Sequence, residues 1–326
     1  MAAKELVAVA LLLSVAGCAL SQNSLRFLVI GDMGGLPVWP YATPVEVGTG
    51  NEMAKIAKQY SPQFIMELGD NFYYDGVRNL QDKRFEMTFE RVYKDDSLQV
   101  PWYLVAGNHD HNGNVSAQIA YSQISKRWNF PNYYYPLQQT IPGTDVTVDF
   151  VMMDTVLLCG NTGDDRLHTQ PSGPDDVGVA EEQWAFVENS LAKSKANYVF
   201  TAGHFPVYSI AEHGPTKCLV DRLLPMLYKY RASGHLSGHD HNLQHLQSSQ
   251  DGVTLDYILS GSANFIDASE AHKDSVPQGS SRFHWADLTK LGGFVYAEAT
   301  ATNMTFTYIE ASGKILYQTT VFPRKV

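Results

Sequence analysis

The chain has 326 residues, of which 44% are hydrophobic and 18% are charged, and its formal net charge is −10. This composition can bury a large apolar core and excludes a long disordered protein. Because binding to a nucleic-acid backbone needs clustered Lys and Arg, the acidic balance also argues against a broad nucleic-acid interface.

The first residues have the pattern of a secretory signal peptide. Lys4 precedes an apolar run over residues 6–16, and small residues follow at positions 17–19. We therefore expect a signal peptide over residues 1–19 and an exported protein. Two alternatives stay open: a buried first strand or helix, and a bacterial lipobox at residues 15–18 in which Cys18 would be lipidated and retained. No later apolar run reaches the ~20 residues that a membrane span needs, so no span is expected.

The chain has three cysteines. If Cys18 is removed with the leader or lipidated, Cys159 and Cys218 remain as a pair that can form a disulfide in an oxidising compartment. Two buried free thiols are the alternative. The sequons that begin at Asn114 and Asn303 are candidate N-glycosylation sites, and they favour a eukaryotic secretory route.

Five apolar strand patterns each end in glycine followed by a polar residue. They cover residues 25–30, 63–68, 101–106, 197–202 and 234–237. Between them, apolar residues recur with helical spacing around Met53, Trp184 and Leu223. Strands that alternate with helices indicate βαβ units with parallel strands.

The C-terminal part is rich in strand patterns, which cover residues 255–259, 293–299, 304–310 and 314–321. We therefore predict an α/β fold in which mixed sheets form a sandwich flanked by helices, as a single domain over residues 25–324. Residues 160–179 are dominated by Gly, Pro and polar residues. Such long structureless segments are usually functional or exposed to proteases, so an exposed loop is predicted there.

Each of the five Gly-terminated strand patterns is followed by a side chain that can bind a metal ion. These residues are Asp32, Asp70, Asn108, His204 and His239. Because ligands bind at the carboxyl ends of strands in open α/β sheets, we expect the five to converge at one edge.

Carboxylate, amide and imidazole donors together suit two metal ions that share one carboxylate, for which Asp70 is our candidate. His241 lies two residues after His239. An extended backbone would direct both rings to the same face, so that one ring could serve each metal.

The motifs around these residues resemble those of the purple acid phosphatases, and most closely the small animal-type tartrate-resistant acid phosphatases. The resemblance covers nearly all of the mature chain, at residues 31–34, 69–73, 107–110, 203–204, 211–215, 238–241 and 308–314. It implies the four-layer α/β/β/α fold of the calcineurin-like metallophosphoesterases. It also implies a secreted or lysosomal, metal-dependent acid phosphatase that acts on phosphate monoesters.

Most calcineurin-like metallophosphoesterases begin with an Asp-x-His motif whose histidine binds the first metal. This chain has Gly34 at that position, and the resemblance implies that Tyr73 replaces the missing ligand. The implied ligands are Asp32, Tyr73 and His241 for iron(III), Asn108, His204 and His239 for a divalent metal (iron, or zinc or manganese), and Asp70 between the two.

The resemblance also implies a mechanism. A hydroxide on iron(III) attacks the phosphorus of a substrate held by the second metal. His109 and His213 are catalytic residues outside the ligand set, and they neutralise or protonate the leaving oxygen. The loop over residues 160–179 corresponds to a segment that covers the site in animal-type relatives until a protease cuts it. A disulfide between Cys159 and Cys218 would then keep the two fragments joined.

Two other functions stay open. The chain could be a phosphodiesterase or another metallophosphoesterase with different metals, although Gly34 and Tyr73 argue against this. It could also be a secreted signalling protein that keeps the fold without catalysis, although none of the implied ligands is missing. The motifs do not decide whether the substrate is a small ester or a phosphoprotein, and a monomer is the default expectation.

Overall fold

The computed structural model describes residues 23–162 and 170–325, so the expected leader over residues 1–19 lies outside the described residues. Two seven-stranded sheets form the centre of the fold. With strands numbered in chain order, the first sheet has the spatial order β14 (Ile315–Val321), β13 (Met304–Glu310), β12 (Gly293–Ala299), β1 (Leu25–Ile30), β2 (Phe64–Glu67), β3 (Trp102–Leu104) and β4 (Trp128–Asn129).

The second sheet has the spatial order β11 (Ser281–Trp285), β9 (Leu243–Gln250), β10 (Val253–Ser260), β8 (Gly234–Ser237), β7 (Tyr198–Ala202), β6 (Thr147–Met152) and β5 (Tyr135–Thr140). Both sheets are mixed. Strands β1 to β4 run parallel to one another, as do β6, β7, β8 and β10, and antiparallel strands complete each sheet.

The main core lies between the two sheets. The ring of Phe27 on β1 meets that of Phe150 on β6 edge to face, with centroids 5.6 Å apart. Helix α1 (Pro44–Tyr60) packs against β12 of the first sheet, and its Met53 belongs to the same continuous cluster of buried residues. A second core holds α5 (Val177–Lys193) and α6 (Lys217–Lys229) against the second sheet. The predicted four-layer sandwich is therefore confirmed.

The sequence patterns did not identify the hairpin of β5 and β6. Strand β5 lies at a sheet edge, and its residues alternate between buried and exposed positions, with Pro136 exposed and Leu137 buried. An edge strand tolerates proline and a half-polar pattern, so it lacks the continuous apolar run by which buried strands are found. The short helices α2 (Asn108–His111), α3 (Val115–Tyr121) and α4 (Thr155–Cys159) also carry too few turns to show a period.

Cys159, at the end of α4, and Cys218, in α6, form a disulfide with their Cα atoms 5.7 Å apart. The bridge closes a separation of 59 residues, which the chain-entropy model values at about 4 kcal/mol. Within the interval 160–179, the structure describes residues 160–162 and 170–179, and the last three of these already belong to α5. Of the helices described, none combines the length and the apolar character that crossing a bilayer requires.

His235 on β8 is a fully buried neutral histidine. Its Nε2 lies 3.0 Å from the Phe205 carbonyl oxygen, to which it donates, and its Nδ1 lies 2.9 Å from the Thr201 hydroxyl, from which it accepts. Burial lowers the pKa of His235 to about 4, whereas an unfolded histidine titrates near pH 6.5. Between these two values the unfolded chain binds a proton that the folded chain does not.

We therefore expect the free energy of unfolding to fall as pH drops from about 6.5 to 4. Over this whole range the loss that His235 causes is about 3 kcal/mol. His235→Gln retains a donor and an acceptor but removes the titration, so its stability should depend less on pH. Urea unfolding of both proteins at pH 7 and pH 4.5 measures this difference. Equal losses in the two proteins would contradict the assignment.

Candidate metal centre

The fold brings the predicted metal ligands together at one edge of the sandwich. Asp32 and Asp70 directly follow β1 and β2, Asn108 begins α2 after β3, and His204 and His239 follow β7 and β8. Ligand atoms of Asp32, Asp70 and His204 all lie within 4.8 Å of one another. Because these strands are parallel within each sheet, their carboxyl ends meet at the same place, as the sequence predicts.

One group of donor atoms surrounds the Tyr73 hydroxyl. Its Oη lies 2.9 Å from Asp32 Oδ1 and 2.9 Å from His241 Nε2. The third distance in this triangle, from His241 Nε2 to Asp32 Oδ1, is 3.6 Å. A carboxylate, a phenol oxygen and an imidazole nitrogen thus face a common point.

A second group surrounds Nε2 of His204. This atom lies 2.9 Å from Asn108 Oδ1, 3.2 Å from His239 Nδ1 and 3.2 Å from Asp70 Oδ2. The Asp70 carboxylate also interacts with the Tyr73 hydroxyl. Asp70 therefore lies between the two groups, at the place that a bridging carboxylate requires.

Three of these residues have a left-handed backbone, with φ of 61° at Asp32, 57° at Asp70 and 73° at His239. Residues other than glycine rarely adopt this region, and such conformations concentrate at functional sites. The value at His239 corrects the expectation of an extended backbone through His239 and His241. Their two rings reach the two donor groups through a turn, and not through the two-residue period of a strand.

Two glycines leave the space that the ligands occupy. A Cβ at Gly107 would lie 2.1 Å from Asp70 Oδ1, and a Cβ at Gly34 would lie 2.6 Å from the backbone nitrogen of Tyr73. A side chain at position 34 is therefore incompatible with this course of the Tyr73 backbone. Tyr73 can enter the site because position 34 carries a glycine and not a histidine.

The donor atoms are buried, which changes their affinity for protons. Burial raises the pKa of Asp32, whereas at Asp70 the neighbouring His204 and His109 rings outweigh burial and lower the pKa. Burial raises the pKa of the Tyr73 phenol, helped by the adjacent carboxylates, so a phenolate forms here only beside a cation. Burial and neighbouring rings lower the pKa of His241 to about 4, which leaves its nitrogen lone pair available.

The donor set fits metal ions. His204 Nδ1 lies 2.9 Å from the Leu68 carbonyl oxygen and must donate to it, so in the neutral ring Nε2 carries a lone pair. That lone pair faces the acceptor oxygens of Asn108 and Asp70. Burial opposes protonation of His204, yet Asp70 and Asp32 raise its pKa to about 9. The cluster thus demands positive charge, which a bound cation supplies.

A cavity of about 220 Å³ opens beside the donors and is lined by both histidines predicted to be catalytic. His109 Nδ1 donates to the Tyr74 carbonyl oxygen at 2.8 Å, and its Nε2 lies 3.9 Å from Asp70 Oδ2. His213 Nδ1 lies 2.8 Å from Asp240 Oδ1, and its ring centroid is 4.0 Å from that of His239. Both rings therefore lie on the wall of the site and not among the donors.

Two buried aspartates that the sequence motifs did not single out hold the loops of the proposed ligands. Asp110 accepts the backbone N–H groups of Asn71 at 3.0 Å, Phe72 at 3.1 Å and Gly107 at 2.9 Å, which joins two ligand loops. Asp240 accepts a hydrogen bond from the backbone N–H of His213 at 3.0 Å and a second one from Nδ1 of its ring. Both lie inside motifs that the sequence displays, but nothing there separates a supporting carboxylate from a ligand. Tyr74 and Phe265, which also line the cavity, lie outside any recognised ligand position.

Comparison with known proteins gives the family. The sequence-family model that describes the calcineurin-like phosphoesterases matches residues 25–243 of this chain. Tartrate-resistant acid phosphatase type 5 of Homo sapiens is 52% identical over 93% of this chain and 92% of its own length, and that of Rattus norvegicus is 50% identical over 95% and 94%.

A solved structure described as "GAP50 the anchor in the inner membrane complex of Plasmodium" has a TM-score of 0.76, covering 93% of this chain and 90% of that one. At 24% identity this likeness supports the fold alone. Both phosphatase matches cover more than nine-tenths of this chain and of the relative's own length. The chain therefore belongs to the calcineurin-like phosphoesterase family and, within it, to the tartrate-resistant acid phosphatases.

Proposed function

We propose that this chain is a metal-dependent acid phosphatase that hydrolyses phosphate monoesters at a binuclear centre. The observation that carries this proposal is the position of the Tyr73 hydroxyl, 2.9 Å from both Asp32 and His241. Deprotonated beside a cation, this phenol becomes a phenolate, a hard anionic donor that suits a trivalent ion. The proposed ligands are Asp32, Tyr73 and His241 for iron(III), Asn108, His204 and His239 for a divalent metal (iron, or zinc or manganese), and Asp70 for both.

When bound, two such ions neutralise the phosphate oxygens and lower the pKa of a coordinated water. The chain supplies the remaining functions. The 220 Å³ cavity receives the phosphate beside Asp70 and Asn108. His213, fixed through Nδ1 by Asp240, presents Nε2 as the proton donor for the leaving oxygen. His109, oriented by the Tyr74 carbonyl, provides a second donor in the lining of the cavity.

An activity assay with matched esters tests the proposed reaction. We expect a phosphate monoester to be hydrolysed at acidic pH and its phosphodiester counterpart to be hydrolysed poorly. Removing the metal with a chelator should abolish turnover, and adding iron back should restore it. Full activity after metal removal, or a preference for the diester, would contradict the proposal.

The segment over residues 160–179 is proposed to restrain this activity until a protease cuts it. Its described parts contact both walls of the site. Asn161 Nδ2 donates to the Asn108 carbonyl oxygen at 3.3 Å. Gln170 Nε2 donates to the Pro215 carbonyl oxygen at 3.0 Å, and Gln170 Oε1 accepts the Lys217 N–H at 2.8 Å. The segment thereby links the helix that carries Asn108 to the loop that carries His213.

We expect proteolysis within this segment to raise kcat, because both loops gain freedom to admit substrate. The Cys159–Cys218 disulfide should keep the fragments together on a non-reducing denaturing gel and release them after reduction. A double replacement of both cysteines by serine is the control, and its fragments should separate without reductant. Separation of the cut wild-type fragments without reductant, or unchanged turnover after cleavage, would be inconsistent with this role.

The proposed destination is the secretory route, either outside the cell or in the lysosome, with the leader removed near residue 19 and the chain acting as a monomer. The disulfide supports an oxidising compartment. Asn114 is exposed and caps α3, and Asn303 lies in the turn before β13, so both sequons are proposed to carry glycans. Mass spectrometry of the mature protein tests the N-terminus and both asparagines together.

A further inference from the structure

Arg84 is a buried cation beside the turn that carries Tyr73. Its residue is only 4% exposed, and its guanidinium lies 5.2 Å from the centre of the Phe72 ring. Nη2 donates to the Gly34 carbonyl oxygen at 2.6 Å, and Nη1 donates to the Gly76 carbonyl oxygen at 2.9 Å. Burying a charge costs free energy. A buried guanidinium that binds two backbone carbonyls is therefore expected to have a structural role.

The two carbonyls lie on either side of Tyr73. The Gly34 oxygen also accepts the backbone N–H of Tyr73 at 3.0 Å, and the Gly76 N–H donates to the Phe72 carbonyl oxygen at 3.1 Å. One guanidinium thus joins the turn after β1, at Gly34, to the end of the turn after β2, at Gly76. A Cβ at Gly34 would lie only 2.6 Å from the Tyr73 nitrogen, so the backbones at these two positions are packed closely together. A shift of Gly34 would therefore also move the Tyr73 backbone.

The guanidinium keeps its charge in this environment. Burial lowers the pKa of Arg84 to about 10, while carboxylates at Asp82, Asp110, Glu46 and Asp75 oppose that shift. The group is therefore a permanent donor at acidic and neutral pH. Its planar fork holds two acceptors in a fixed relation, which the single ammonium of lysine cannot reproduce.

We infer that Arg84 is a positioning residue for Tyr73: by clamping the Gly34 and Gly76 carbonyls it sets where the phenol oxygen stands relative to Asp32 and His241. The inference rests on the proposed role of Tyr73 as an iron ligand. Its consequence is that Arg84 controls how firmly iron is retained and the energy of the tyrosine-to-iron charge transfer. Groups that orient ligands from outside the ligand set commonly have this influence.

Arg127 provides a matched control. It is 6% exposed, its guanidinium lies 4.1 Å from the Phe89 ring, and Nη1 donates to the Tyr93 carbonyl oxygen at 2.6 Å. Its partners lie on the segment that precedes β3 and do not include a proposed ligand. Arg84→Lys and Arg127→Lys therefore both remove buried hydrogen bonds to backbone carbonyls, and Arg127→Lys also disturbs an ion pair with Glu90 at 2.8 Å. Only the first affects the Tyr73 turn.

The test compares both variants with the wild type in the iron-loaded full chain. We expect both variants to unfold at lower urea concentration, whereas only Arg84→Lys shifts the visible charge-transfer band and loses iron to a chelator about tenfold faster. If Arg84→Lys does not fold, Arg84→Gln, which keeps an N–H donor for Gly34, is measured in its place. A band position and an iron loss equal to those of Arg127→Lys would overturn the inference. Absence of the band from the wild type itself would instead refute the proposed iron centre.

Discussion

Asp70→Asn is expected to lower kcat by about 10³-fold and to reduce the metal content of the purified protein. Asp70 interacts with both donor groups, through His204 at 3.2 Å and through the Tyr73 hydroxyl. Metal ions contribute several kcal/mol to stabilising charge in the transition state. A loss of about 4 kcal/mol corresponds to about 10³-fold in rate.

The fold should survive this replacement, because asparagine tolerates the left-handed backbone that Asp70 adopts. Asp256→Asn is the matched control, since Asp256 is also a buried carboxylate paired with a histidine, His245, at 2.9 Å. The control should keep its metal and its kcat. Normal metal content and activity in Asp70→Asn would remove Asp70 from the centre.

His213→Gln should lower kcat by about 10²- to 10⁴-fold, the usual contribution of a proton donor, with metal content unchanged. His213 lines the cavity, and Asp240 fixes both its ring and its backbone N–H. It contacts the His239 ring without belonging to either donor group. Steady-state kinetics and metal analysis of the same preparation separate the two effects.

His111→Gln is the matched control for this replacement. His111 pairs with the buried Asp154 at 2.7 Å, and its side chain is 16% exposed, close to the 19% of His213. It does not line the metal cavity described above, so its kcat should change by less than about tenfold, as expected for a structural residue. Parallel loss of metal and activity in His213→Gln would show that His213 is a ligand or a structural residue.

Five of the seven proposed ligands can be predicted from the sequence because each follows an apolar strand pattern that ends in glycine. Asp32, Asp70, Asn108, His204 and His239 are visible in this way, and the parallel strands bring them to one edge. The layer order follows from the same alternation of strands and helices. The local sequence pattern thus establishes which side chains meet and which layers of the fold carry them.

The supports of the site depend on contacts between distant segments, which no local pattern encodes. Asp110 holds a loop 39 residues away, and Arg84 reaches back 50 residues to Gly34. The turn at His239 shows the same limit from another side. Its φ of 73° is set by packing around Asp32, whose Oδ2 accepts the His239 N–H at 2.9 Å, so the spacing of the two histidines alone led to the wrong backbone conformation.

The central claim is that a tyrosine oxygen binds iron(III) next to a second metal ion. Its most direct test is the visible absorption spectrum of the purified wild-type protein and of Tyr73→Phe, each with metal analysis of the same sample. We predict two metal ions per chain, at least one of them iron, and a broad visible band that Tyr73→Phe abolishes. A colourless wild-type protein, or a band that persists in Tyr73→Phe, would contradict it.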